Sequence, residues 1–224
     1  MGLRHAVRLV AWVTAAVVAM SLGLQVRLLG GAFGLAVVGV LLALTTLWLP
    51  RSAHAAFETG RYGRAARRYW VAGLLTWSPG RDRAARLSRA GCAIAQGHVS
   101  AAHRLLARLD ADKLDVGERA VWLNNRAFAQ LAAGGDAHEA LVLADQASAL
   151  RPDVPAIQHT RALALLAVGR TDDALHVLDG MRAGGELSPR LEAARCRDLA
   201  AAWDKKGEAA YADDYRRRAA VLVS

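Results

Sequence analysis

Histidine, cysteine and paired carboxylates are where metal, nucleophilic or acid–base chemistry would first show in this chain. The seven histidines stand apart, with no two at i, i+3 or i+4, so no helical face brings two imidazoles onto one metal ion. Cys92 and Cys196 share no CxxC spacing and have no histidine in a ligand pattern, and they read as buried thiols in a reducing compartment. Asp172-Asp173 and Asp213-Asp214 begin or decorate helices, where carboxylates complement the helix dipole. No HExxH, GxSxG, GxxxxGK[ST] or strand-borne GxGxxG is present. The expectation is a protein that is not an enzyme and has no metal and no cofactor.

What does recur is structural. Five times a glycine is followed five residues later by an alanine: Gly60 and Ala65, Gly97 and Ala102, Gly135 and Ala140, Gly169 and Ala174, Gly207 and Ala212. The alanines are 37, 38, 34 and 38 residues apart. A glycine that ends one helix and an alanine that lets the next helix approach closely are what a stacked array of helical hairpins requires. Apolar and small residues around each pair keep helical spacing, as at Ala127, Leu131, Ala140, Leu143 and Ala147, and Arg151-Pro152-Asp153 closes that unit. The pattern predicts an all-α chain with helices near 62–77, 82–96, 99–109, 117–133, 137–150, 154–168, 171–182, 189–206 and 208–222. Ser188-Pro189 supplies an N-cap and first-turn pair, and the run Asp213 to Arg218 suits the polar outer face of a terminal repeat.

These units resemble the tetratricopeptide repeat, whose period is about 34 residues. The resemblance is best over 121–180 and implies an α-solenoid of four to five hairpins that binds a partner protein or peptide. In that family the first helix of each hairpin lines the groove. Carried over, the groove positions include Leu87 and Gly91, then Asn124 and Phe128, His159 and Leu163, and Arg197 and Ala201, with Asn125 beside Asn124. Amides, imidazole, guanidinium and an aromatic ring suit a peptide whose end or side chain is acidic. The alternative for Asn124 and Asn125 is bonding between neighbouring helices. A chaperone C-terminus is not the expected ligand, because Lys113, Lys205 and Lys206 do not match the family's carboxylate clamp.

Ahead of the repeats lie two uncharged runs, 9–26 and 28–49, separated by Arg27. Each is long enough to cross a hydrocarbon core of about 30 Å as a helix. They predict a two-helix transmembrane hairpin over 1–50, with helices at about 7–25 and 29–49 turned through Gly23 and Gly30-Gly31, and a repeat domain over 51–224. Pro50 marks the exit of the second helix, although residues 51–59 could also run on from it into the first repeat. Ala11, Ala15, Ala19 and Gly23 form a small-residue stripe that packs the two helices together or supports self-association. The rival for the first run is a cleaved signal peptide ending near Ala19-Met20-Ser21.

The net charge of +9 is concentrated: residues 51–89 hold nine arginines against Glu58 and Asp82, while residues 90–224 are nearly neutral. Basic charge beside apolar spans places both ends in the cytoplasm, at the inner membrane of a bacterial-type cell. Arg51, Arg61, Arg64, Arg67 and Arg68 would face anionic lipid. Nucleic acid is not an expected partner, since no recognition motif accompanies the charge. Trp70 and Trp77 are expected to pack between repeats, with the headgroup region as the alternative. The predicted function is a membrane-anchored scaffold or adaptor, and the alternative is a membrane-complex subunit whose segment 51–89 contacts lipid. In arrangement the chain is similar to the membrane-anchored repeat proteins associated with haem biosynthesis in some bacteria.

Overall fold

A computed structural model describes residues 10–18, 21, 28–183 and 185–222, with residues 28–34 described by backbone alone. Every regular element among them is helical. The chain divides into two compact units, 1–92 and 93–224. Within the expected first span residues 10–18 are helical, but the turn at Gly23 to Arg27, the flanking Arg4 and Arg8, and Ala19 and Met20 lie outside the described residues.

In the N-terminal unit, α1 (Leu28–Ala43) passes through a π turn (Leu44–Trp48) into α2 (Leu49–Glu58) without a break. Gly30 and Gly31 are therefore helical rather than turn residues. Pro50 lies inside this long helix rather than at its end. Proline lacks the N–H that would bond one turn back, and its ring crowds the carbonyl there. The π turn accommodates both: the Leu49 N–H reaches back five residues to the Leu44 carbonyl. The Thr45 and Thr46 hydroxyls donate to the Leu41 and Leu42 carbonyls at 2.8 and 2.6 Å. The portion Leu35–Glu58 is long and apolar enough to cross a membrane, and its most apolar stretch is unburied.

After a turn at Gly60, α3 (Tyr62–Leu75) folds back on α2. Ala53 and Ala56 of α2 and Ala65 of α3 are buried in the seam, with Phe57 edge-on to Tyr62 at 5.3 Å. The apolar helix and the first repeat hairpin are thus one piece of backbone. A further helix, α4 (Pro79–Ala95), is joined through Gly97 to α5 (Val99–Leu106).

The C-terminal unit contains three stacked hairpins: α6 (Val116–Ala132) with α7 (Ala137–Leu150), α8 (Pro155–Ala167) with α9 (Thr171–Gly180), and α10 (Pro189–Lys205) with α11 (Ala209–Val221). Helix starts follow local chemistry. Asp115 and Glu118 form a reciprocal capping box on α6, Asp136 accepts from the His138 N–H at 2.8 Å on α7, and Ser188 with Pro189 opens α10. The five repeat alanines, Ala65, Ala102, Ala140, Ala174 and Ala212, are all 0% exposed. One core runs through the stack and includes Leu165, Leu178 and Leu199. Each such leucine contributes about 1.5–3 kcal/mol through burial.

The recurrent glycines carry the expected left-handed turns, with one shift of register. In the third hairpin Gly134 has φ +66°, and it is Gly134 rather than Gly135 that turns the chain. Gly135 is crowded instead: a Cβ there would lie 2.9 Å from the flexible end of the Gln130 side chain and 3.2 Å from the Gln130 carbonyl.

Candidate functional site

The first helices α6, α8 and α10 touch one another in sequence along the C-terminal unit, whereas the second helices α7, α9 and α11 do not come as close. Unequal spacing of this kind places the first helices on the inner side of the stack. Of the groove positions expected from the sequence, Asn124, Asn125, Phe128, His159, Leu163, Arg197 and Ala201 fall on these three helices, whereas Leu87 and Gly91 lie on α4, with Leu87 buried.

They are not equally available. Asn124 is half-buried, and its Oδ1 is enclosed without a hydrogen-bond partner among the described residues. An enclosed amide oxygen left unbonded costs about 1–3 kcal/mol, and it is closed to an incoming donor as the helices stand. Asn125, only 7% exposed, belongs to the helix-packing layer and is withdrawn from any peptide. Phe128 and Leu163 are half-buried, and Arg197 is exposed. His159 is joined to Asp198 of the next first helix, Nε2 to Oδ2 at 2.6 Å. Sequence reasoning missed Asp198, which is one residue from Arg197; helical geometry alone could not show that it reaches back to His159. Arg161 adds a second link, donating to Asp145 of α7 at 2.6 Å.

Behind α6 lies a cavity of about 340 Å³ between α5, α6 and α7. The Trp122 indole N–H donates to the Leu106 carbonyl at 3.2 Å, and the Arg126 guanidinium sits 4.6 Å above the same ring. Gln130 donates to Glu139 at 3.0 Å across its far side. Trp122, Arg126, Gln130 and Glu139 are thus all engaged within the fold, and the cavity reads as packing between repeats.

The N-terminal unit carries the basic positions. Arg51, Arg61, Arg64 and Arg67 are exposed and form no ion pair among the described residues. Arg68 differs: its guanidinium donates to the Ser52 carbonyl at 2.8 Å and lies 5.8 Å over the Trp48 ring, so it braces the first hairpin. Trp48, Trp70 and Trp77 are 56%, 47% and 49% exposed. The expected packing of Trp70 and Trp77 between repeats is therefore not what the fold shows; about half of each ring meets solvent.

A cavity of about 520 Å³ opens in the same unit. One wall is a single face of the long helix, Leu42, Thr45, Thr46, Pro50 and His54; the others come from α3 and α4, with Trp12 at one side. The Trp12 indole N–H donates to the Leu75 carbonyl at 3.3 Å, a last-turn carbonyl that has no helical donor. Tyr69 and Ser88 are hydrogen-bonded in the wall, and burial pushes the Tyr69 phenol up to about 12, so it stays neutral. Among the described residues, no group of three or more histidine, cysteine or acidic side chains could hold a metal.

No protein-family profile matches the chain, and no curated protein does. Among solved structures the chain is similar to a variant of a Podosopora anserina protein of kinesin light chain type with nearly identical TPR-like repeats. The identity is 21% and the TM-score 0.51, over 80% of this chain and 95% of that one. It also aligns with MamA from MSR-1 at 17% identity and TM-score 0.44, over 80% of this chain and 97% of that one. MamA from AMB-1 gives 18% and 0.43, over 80% and 99%. The first of these likenesses supports the fold: an all-helical stack of TPR-like hairpins.

Proposed function

We propose that this chain is a membrane-anchored scaffold that holds a protein or peptide partner along the face formed by α6, α8 and α10. The observation that carries the reading is the continuity of the long helix. Its Leu35–Glu58 portion has the length and apolarity of a membrane span, and its last turns bury Ala53 and Ala56 inside the first hairpin. A partner held by the repeats would therefore be held beside the bilayer. With the basic segment at the cytoplasmic interface, the repeats lie in the cytoplasm at the inner membrane, and a second span ahead of Leu28 completes a hairpin that could also self-associate. Asn124, Phe128, His159, Leu163 and Arg197 supply the binding chemistry: an amide, an imidazole, two apolar contacts, and a cationic edge for an acidic peptide. Nothing in this reading requires catalysis or a cofactor.

A second reading is favoured by the exposed arginines and tryptophans of the N-terminal unit. There, segment 51–89 binds anionic lipid and the repeats serve to stabilise it. Flotation of a fragment lacking residues 1–50 with vesicles of phosphatidylcholine and phosphatidylglycerol separates the two. The scaffold reading expects the fragment to stay unbound at physiological salt. Salt-sensitive flotation without any protein partner supports the second reading and overturns the need for a span.

A further inference from the structure

We infer that the cavity of the N-terminal unit holds one anionic phospholipid, an acyl chain between Leu42, Pro50, Ala72 and Ala84 and the headgroup at Arg81. The inference rests on the anchoring reading above and names what the anchor takes from the bilayer.

Away from His54 and Arg81 the walls are apolar in effect, even where the side chains are polar. Thr45 and Thr46 spend their hydroxyls on carbonyls of their own helix. Tyr69 and Ser88 are bonded in the wall, and Thr76 accepts from the Ser78 N–H at 3.2 Å. A peptide entering here would leave its own N–H and C=O groups unpaired, whereas a hydrocarbon chain loses nothing. About 520 Å³ lies within the range of roughly 300–1,000 Å³ typical of small-ligand sites, too small for another helix.

Shape and charge point to the same class. From Leu42 to His54 the cavity follows about 18 Å of helix, close to the depth of about 15 Å in one leaflet. Leu42 lies toward the apolar end of the span, and His54 and Arg81 toward the basic end. Arg81 is exposed and forms no ion pair among the described residues, which leaves its guanidinium free to take a phosphodiester. Trp12 and Trp77 line the same opening, an aromatic pair suited to the headgroup boundary.

The test uses the full chain, reconstituted in bilayer discs of phosphatidylcholine and phosphatidylglycerol, then released into mild detergent for native mass spectrometry. The expected result is one phosphatidylglycerol retained per chain. Ala84→Trp, which fills the cavity from an exposed position, lowers that retention by about tenfold, as displacement of about two buried methylenes would. Arg81→Glu abolishes the preference for phosphatidylglycerol over phosphatidylcholine, and this surface substitution remains informative if the tryptophan variant fails to fold. Equal retention by Ala84→Trp with unchanged helical circular dichroism overturns the inference, as does an unaltered headgroup preference in Arg81→Glu. A chain that enters the discs but leaves without lipid overturns the cavity site alone. A chain that does not enter them overturns the anchoring reading as well.

Discussion

His159 of α8 and Asp198 of α10 are hydrogen-bonded at 2.6 Å across two consecutive repeats, with both side chains mostly enclosed. The pair ties the first helices together at the level where the sequence places the groove. It is a single clasp between repeats, with the imidazole at a proposed groove position held by the carboxylate of its neighbour. His159→Ala should therefore cost about 1–2 kcal/mol of stability, because Asp198 is left without that bond. A double-mutant cycle with Asp198→Ala, followed by urea unfolding of the full chain in detergent, should show the two losses to be non-additive by about 1 kcal/mol.

Arg195 is more deeply placed, only 3% exposed. It makes a bidentate pair with Glu192 at 2.8 Å and donates to the Leu178 carbonyl of α9 at 3.1 Å. Replacing it by methionine removes the partner of a partly enclosed carboxylate and frees a carbonyl, at a cost of about 3 kcal/mol. The Arg195 guanidinium holds the Glu192 carboxyl below its ordinary range. Its stabilising effect is thus fully present above the ordinary glutamate value of about 4.3 and is lost as pH falls through the lowered native one. Acid unfolding of Arg195→Met should show a shallower loss of stability in that window.

The alanine seam sets the distance between helices in each hairpin. Ala174→Leu introduces three carbon atoms where nothing is exposed and should destabilise by about 1–3 kcal/mol through overpacking. Val142→Leu, on the exposed side of α7, should be neutral within about 0.5 kcal/mol. Thermal unfolding of the two variants side by side distinguishes a packed seam from a loose one.

The two cysteines are buried and unpaired. Burial pushes the Cys92 thiol up to about 11 and raises that of Cys196 as well. Both should resist iodoacetamide at pH 8 in the native chain and react fully once it is unfolded, read by intact mass. For Cys92, whose value rises on folding, the associated stabilisation is present below the ordinary thiol range and is lost as pH climbs through about 11.

Much of this architecture was legible in the residues. Glycine and alanine recur because each hairpin needs one left-handed turn and one close approach, and both requirements are local. The third turn falls one residue earlier than expected because Gly134 and Gly135 are equally permissive in sequence; what separates them is the backbone, since it is Gly134 that takes the left-handed φ. Pro50 read as a helix end because proline forbids the usual bond. The π turn that carries the helix past it draws on no single distinctive residue. At the groove, a repeat register could name Asn124 and Asn125 together but not show that 125 turns inward. Contacts such as His159 with Asp198 span 39 residues and depend on how hairpins stack, which no local pattern encodes.

The most direct test of the central claim is site-specific photocrosslinking in native membranes, with the reactive group introduced at Leu163 on the inner face or at Val142 on a second helix. A partner should be captured from position 163 and not from 142. That capture should fall by at least about tenfold when Asn124→Ala and His159→Ala are combined, with helical content unchanged. Equal capture from both positions, or capture undiminished in the double variant, would contradict a binding face built on α6, α8 and α10.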